Sequence, residues 1–181
     1  SSEEELERLL EELRRITEEA KERMERSSKE LEDVSREAEK RLEKSSRDLD
    51  KTVRDIKRRI KDKDTLREID RLAKELKERN ERLLEELRRS SEELKRRNER
   101  LIEESRKSSE EIKKRIKDLR RDSDDAEDVK RRVRELIEEH KRLNKELLDE
   151  SRELLKTHAE LVKRILDESR RLLEELEKAA R

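Results

Sequence analysis

Apolar residues in this chain return every three or four positions and never stand in runs longer than two. That spacing is the signature of an amphipathic helix rather than a strand. In the first third of the chain the stripe runs through Leu6, Leu13, Ile16, Ala20, Met24, Leu31, Val34, Ala38, Leu42, Leu49, Val53, Ile56 and Ile60. In the second it runs through Ile69, Leu76, Leu83, Leu87, Leu94, Leu101, Ile112, Ile116 and Leu119. The third stripe is the widest, with Val129, Leu136, Leu143, Leu147, Leu154, Leu161, Ile165, Leu172 and Leu176. Each stripe suits one helix facing two neighbours.

Two similar segments interrupt the pattern, Lys61-Asp62-Lys63-Asp64 and Arg121-Asp122-Ser123-Asp124. An aspartate carboxylate accepts the free amides of a helix's first turn, so N-caps are expected near Asp64 and Asp124. Thr65 with Glu68, and Asp124 with Glu127, have the spacing of capping boxes. Asp62 or Asp122 is expected to take the turn conformation that glycine usually fills. Helices are therefore predicted over about 2–61, 65–121 and 125–180, with loops near 62–64 and 122–124. Each would be about 85 Å long at 1.5 Å per residue. Short loops force an antiparallel, up-down-up arrangement. The prediction is an all-α three-helix bundle spanning 1–181 without a linker.

The stripes also repeat every eighteen residues: LLEELRRITEEAKERMER, SSKELEDVSREAEKRLEK and SSRDLDKTVRDIKRRIKD follow one another over 9–62. Eighteen residues complete five turns of an undistorted α-helix, whereas a heptad repeat would impose supercoiling. Straight helices forming an elongated rod are the expectation.

Polar residues interrupt the stripes at the same period. Asn80 and Asn98 lie eighteen apart, as do Ser151 and Ser169, and His140 and His158. Folding the chain about residues 62 and 123 sets Asn98 beside Ser27/Ser28 and Ser151, and Asn80 beside Ser45/Ser46 and Ser169. His140 falls near Ser105 and Thr17, and His158 near Ser90/Ser91 and Ser35. Four polar layers result, each drawing on all three helices. A buried polar group left unpaired costs about 1–3 kcal/mol, so such layers penalise any shift in helix register. The blander reading is that Ser28, Ser46, Ser90 and Ser108 merely limit exposed apolar surface at the stripe edge.

Composition narrows the origin of the chain. Sixty percent of its 181 residues are charged, and it has no Gly, Pro, Cys, Phe, Trp or Tyr. Chance loss of Gly and Pro together from a chain this long has odds of roughly 10⁻¹⁰. Such a charge fraction is also typical of disorder, but here the apolar residues are periodic and the charges alternate in sign. Glu11–Arg15, Glu19–Arg23 and Glu22–Arg26 have the favourable i, i+4 spacing. Acidic and basic residues balance at 54 each. No basic stripe is available for phosphates, so no nucleic-acid partner is expected. No apolar run could span a membrane.

The pattern resembles de novo designed helical bundles with modular buried hydrogen-bond networks. The resemblance covers the whole chain and rests on periodicity and palette rather than on a family motif. The loops depart from it in lacking Gly and Pro. It implies a structural scaffold with no natural localisation, made recombinantly as a soluble cytoplasmic product, with no cofactor and no required partner. A monomer is expected. The alternative is an interaction module, a homo-oligomer or a bundle accepting a partner helix, for which Leu154/Leu155 and Leu172/Leu173 leave room. The two histidines lie about 27 Å apart along one helix and cannot share a metal ion. A Ser–His–Asp arrangement around His140 with Ser105 or Ser109 would lack an oxyanion hole, so no catalytic residue is expected. If the histidines are buried and neutral, stability falls as the pH drops below about 6.

Overall fold

The computed structural model describes residues 2–181. It contains three helices, α1 (Ser2–Arg59), α2 (Lys63–Asp122) and α3 (Ala126–Ala179), and no strand among the described residues. The fold is an all-α three-helix bundle. The chain divides into two compact units. The first comprises Ser1–Lys29 and Lys95–Leu155, and the second Glu30–Leu94 and Lys156–Arg181. Each unit contains a stretch of every helix.

Within each unit α2 runs against the other two helices. In the first unit Met24 of α1 meets Asn98 of α2, whereas Thr17 shares His140 with Ser108. Rising numbers on α1 thus meet falling numbers on α2. The core of the first unit is built from Leu6, Leu13, Ile112, Ile116, Val129, Val133 and Ile137. That of the second includes Leu42, Leu49, Leu76, Leu87, Ile165 and Leu176. No large hydrophobic side chain is exposed among the described residues.

Burial follows the eighteen-residue period. Leu13, Leu31 and Leu49 are all buried, as are Asn80, Asn98 and Ile116, and Val133, Ser151 and Ser169. Five whole turns bring a side chain back to the same angle, so equivalent positions meet the same neighbours. On α3 the buried positions differ in places from the expected stripe. Ile137 and Val162 are buried, while Leu136 and Leu161 are half-buried. Adjacent apolar residues share the wide stripe, and the β-branched member of each pair points to the centre.

The helix ends differ from expectation by a few residues. Asp62, not Asp64, caps α2: its carboxylate accepts the Thr65 hydroxyl at 2.6 Å and the Thr65 amide at 3.2 Å. The two bonds, hydroxyl first, hold the Asp62 carboxyl below its usual range. Asp125, not Asp124, caps α3, accepting the amides of Glu127 and Asp128 at 3.1 and 3.3 Å. Each loop is three residues, 60–62 and 123–125, so the aspartate adjoining the helix takes the cap. No described residue adopts positive φ, so neither Asp62 nor Asp122 replaces a glycine. Replacing Asp125 with alanine is expected to cost about 0.5–2 kcal/mol. A lower urea midpoint at unchanged m would register it; an unshifted midpoint would mean that water caps the helix equally well.

The surface is laced with ion pairs, mostly exposed. Glu11 closes on Arg14, one turn away at i, i+3, rather than on the expected Arg15. Other pairs cross between helices: Lys141–Glu12 at 2.7 Å in the first unit, and Arg164–Glu86 at 2.6 Å and Lys57–Asp70 at 2.9 Å in the second. Lys130 is the most covered cation, its ammonium held between Glu127 at 2.6 Å and Glu5 at 2.8 Å. Hydrogen bonds to these two carboxylates raise its pKa. Its stem is buried while its head stays with the carboxylates, as expected of a long amphipathic side chain.

Candidate functional site

The chemistry of this chain lies in its buried polar residues: Ser35, Asn80, Asn98, Ser105, Ser109, His140, Asn144, Ser151, His158 and Ser169 are all buried on the inner helix faces. Those other than Ser109 form two kinds of layer, and each unit has one of each.

The simpler layer is a clamp across three helices. In the first unit Asn98 donates from Nδ2 to the backbone carbonyl of Met24 on α1 at 2.8 Å. Its Oδ1 accepts the hydroxyl of Ser151 on α3 at 2.5 Å. In the second unit Asn80 donates to the Leu42 carbonyl at 2.9 Å and accepts Ser169 at 2.6 Å. Every member is displaced by eighteen residues between the two clamps. The carbonyl demands a donor and the serine offers one, so the amide has a single satisfactory orientation.

The α1 partner is not the one expected. Asn98 and Asn80 use the carbonyls of Met24 and Leu42 in place of Ser27/Ser28 and Ser45/Ser46. Those serines are half-buried at the stripe edge. A helix carbonyl keeps a second lone pair after its intrahelical bond, and it needs no side chain to be ordered.

The second kind of layer is built on histidine. In the first unit His140 places Nε2 2.8 Å from Thr17 Oγ1 and Nδ1 3.0 Å from Ser108 Oγ. Asn144, one turn along α3, sets Nδ2 3.0 Å from His140 Nε2 and donates to the His140 carbonyl at 2.8 Å. The Oδ1 of Asn144 accepts the hydroxyl of Ser105. Thr17 is also 2.9 Å from the Leu13 carbonyl. The expected neighbours Thr17 and Ser105 are thus both present, Ser105 through Asn144.

In the second unit His158 Nε2 lies 2.6 Å from Ser35 Oγ. Ser35 is 2.8 Å from the Leu31 carbonyl and 3.0 Å from Ser91 Oγ. The expected residues Ser35 and Ser91 are here, but the layer is smaller. His158 Nδ1 has no partner, the one such buried side-chain nitrogen or oxygen among the described residues. Burial lowers the pKa of both histidines from the ordinary value of 6.5.

Asn144 was missing from the sequence-based set. The signal for it was its position one turn from His140, but its eighteen-residue counterpart is Val162, so the repeat concealed it. Ser108, read as a possible stripe-edge residue, bonds His140 directly.

Chemically, these layers are neutral donors and acceptors satisfied by one another, His158 Nδ1 excepted. No group of three or more His, Cys, Asp or Glu that could hold a metal ion occurs among the described residues, and no helix is long and apolar enough to cross a membrane. No known protein family matches the chain, and no characterised protein or solved structure does either.

Proposed function

We propose that this chain is a de novo designed structural scaffold, acting as a monomer without catalysis, in which buried polar layers fix the register of its helices. One observation carries the reading. The two Asn–Ser–carbonyl clamps have the same bonds on all three helices, with every participant shifted by eighteen residues. Leucine contacts tolerate sliding, whereas a clamp moved by one turn leaves a buried amide and a hydroxyl unpaired. Repetition of an identical network supports deliberate placement, as does a residue palette chosen from strong helix formers.

The test removes the clamps without removing the helices. A variant carrying Asn80→Leu, Asn98→Leu, Ser151→Ala and Ser169→Ala is expected to stay fully helical and to resist urea at least as well as the parent. Apolar replacement of both members of a buried polar pair is often neutral or stabilising. The same variant is expected to lose its single set of amide NMR signals as alternative registers become populated. The parent is expected to have a solution mass near 22.2 kDa. A variant with one sharp set of signals would remove the register role, and a parent mass at a multiple of that value would favour a self-associating module instead.

A further inference from the structure

The two histidine layers occupy equivalent places in the repeat but are built differently. Thr17 and Ser35 are eighteen apart, as are His140 and His158. Where the first unit has Ser105 and Asn144, however, the second has Leu87 and Val162. The bonds of Asn144 follow that exchange; the bond at Nδ1 does not, because Ser90 stands where the first unit has Ser108 and yet His158 Nδ1 has no partner.

At His140 the amide of Asn144 is oriented on two sides. Its Oδ1 accepts Ser105, and its Nδ2 donates to the His140 carbonyl. The remaining N–H points at Nε2, making that nitrogen an acceptor. The imidazole proton therefore sits on Nδ1 and is donated to Ser108 Oγ. At His158 no amide is present. The Ser35 hydrogen has the Leu31 carbonyl as its acceptor, so Ser35 Oγ accepts a proton from Nε2. The opposite tautomer would bury an N–H without an acceptor at Nδ1, and an unpaired buried donor is rarer than an unpaired acceptor. The two rings hold opposite tautomers.

The difference matters when a second proton arrives. A charged His140 has Ser108 at Nδ1 and, once the Asn144 N–H that pointed at Nε2 turns aside, Thr17 at Nε2. Thr17 accepts while its own hydrogen goes to the Leu13 carbonyl. A charged His158 has Ser35 at Nε2 and nothing at Nδ1. We propose that the two units are unequal acid sensors, the one holding His158 losing more stability on acidification than the one holding His140.

Burial is what lowers the pKa of both rings. The groups facing His158 from the neighbouring helices are the hydroxyls of Ser35 directly and Ser91 behind it. Those facing His140 are Thr17 and Ser108, with Asn144 on its own helix. A lowered folded-state pKa gives stability that is complete above the unfolded value of 6.5. It is lost as the pH falls below that value toward the folded one, and more is lost where the folded value is lower.

The experiment uses the whole chain with ¹⁵N-labelled histidine, titrated by NMR, alongside amide hydrogen exchange at pH 7.5 and 5. Expected are a protonated Nδ1 in neutral His140, a protonated Nε2 in neutral His158, and proton binding about tenfold weaker at His158. Amides of the second unit are expected to lose the larger factor of protection between the two pH values. Ser108→Ala, which removes the Nδ1 partner of His140, is expected to weaken its proton binding toward that of His158. The double variant Leu87→Ser/Val162→Asn, which aims an amide N–H at Nε2 and adds no acceptor at Nδ1, is expected to move the proton of neutral His158 to Nδ1 without strengthening its proton binding. Ser90→Ala is expected to leave His158 unchanged; an altered titration would identify Ser90 as a partner of Nδ1 and overturn the proposal. Equal proton affinities, matching tautomers or equal loss of protection in the two units would also overturn it. The clamp deletion described above tests register separately, because it replaces no residue of either histidine layer.

Discussion

Replacing Asn98 with aspartate is expected to destabilise the protein by about 4 kcal/mol at pH 7, with the loss shrinking by about 1.4 kcal/mol for each pH unit below that. The carboxylate would be almost isosteric with the amide. One oxygen would still accept Ser151, but the other would face the Met24 carbonyl, which now receives an N–H. Position 98 is only 2% exposed, so the ionised form would be both desolvated and opposed by a carbonyl lone pair. The protonated acid escapes both problems, because its hydroxyl donates to Met24 as the amide did. Its folded-state pKa therefore rises above the unfolded value of about 3.9, and holding the proton at pH 7 costs about 1.36 kcal/mol for each unit in between. The sign follows. The penalty is greatest at high pH and disappears as the pH falls toward the unfolded pKa. Urea denaturation at pH 7, 6 and 5 measures it, and a loss independent of pH would mean that Asn98 is not clamped in this way.

Leu87→Ala is expected to cost about 2–5 kcal/mol at any pH in that range. Leu87 is fully buried in the second unit's core with Leu42, Leu76 and Ile165. The lower end of the range applies where neighbours collapse into the cavity. Little here favours collapse: the neighbours are aliphatic side chains on long helices, with no aromatic ring to swing inward. The upper half of the range is therefore expected. A urea midpoint reduced in proportion, with amide protection lost first around Ala38, Leu87 and Ile165, would register the effect. A cost below about 1 kcal/mol would show that the core closes over the gap.

The amphipathic periodicity was enough to read three helices from the chain, because the apolar stripe survives 60% charge. The clamp residues were legible for a related reason. Asn80 and Asn98, and Ser151 and Ser169, break the stripe at its own period, and an isolated polar residue on a buried face needs a partner. Less legible was which atom would serve as the partner. Counting residues from a loop gives height along the helix but not rotation about it, so Ser27 and Ser45 had the right level but lie at the edge of the stripe. Backbone carbonyls carry no sequence signal at all, which is why Met24 and Leu42 were missed as acceptors. The caps were displaced because aspartates stand at 62 and 64, and at 122, 124 and 125, and the pattern alone does not choose among them. Asn144 escaped because it breaks the repeat that made the other polar residues visible.

The two bends have a consequence for how the chain can be altered. Both turn without a mirror-image backbone, each in three residues ended by a capping carboxylate. Glycine is therefore dispensable there, and so is the extra unfolded-state freedom that glycine would bring. Ile60 packs against the second unit's core and the Ser123 hydroxyl accepts the Asp125 amide, whereas Lys61 and Asp124 are exposed, which makes those two positions natural points for grafting foreign peptide.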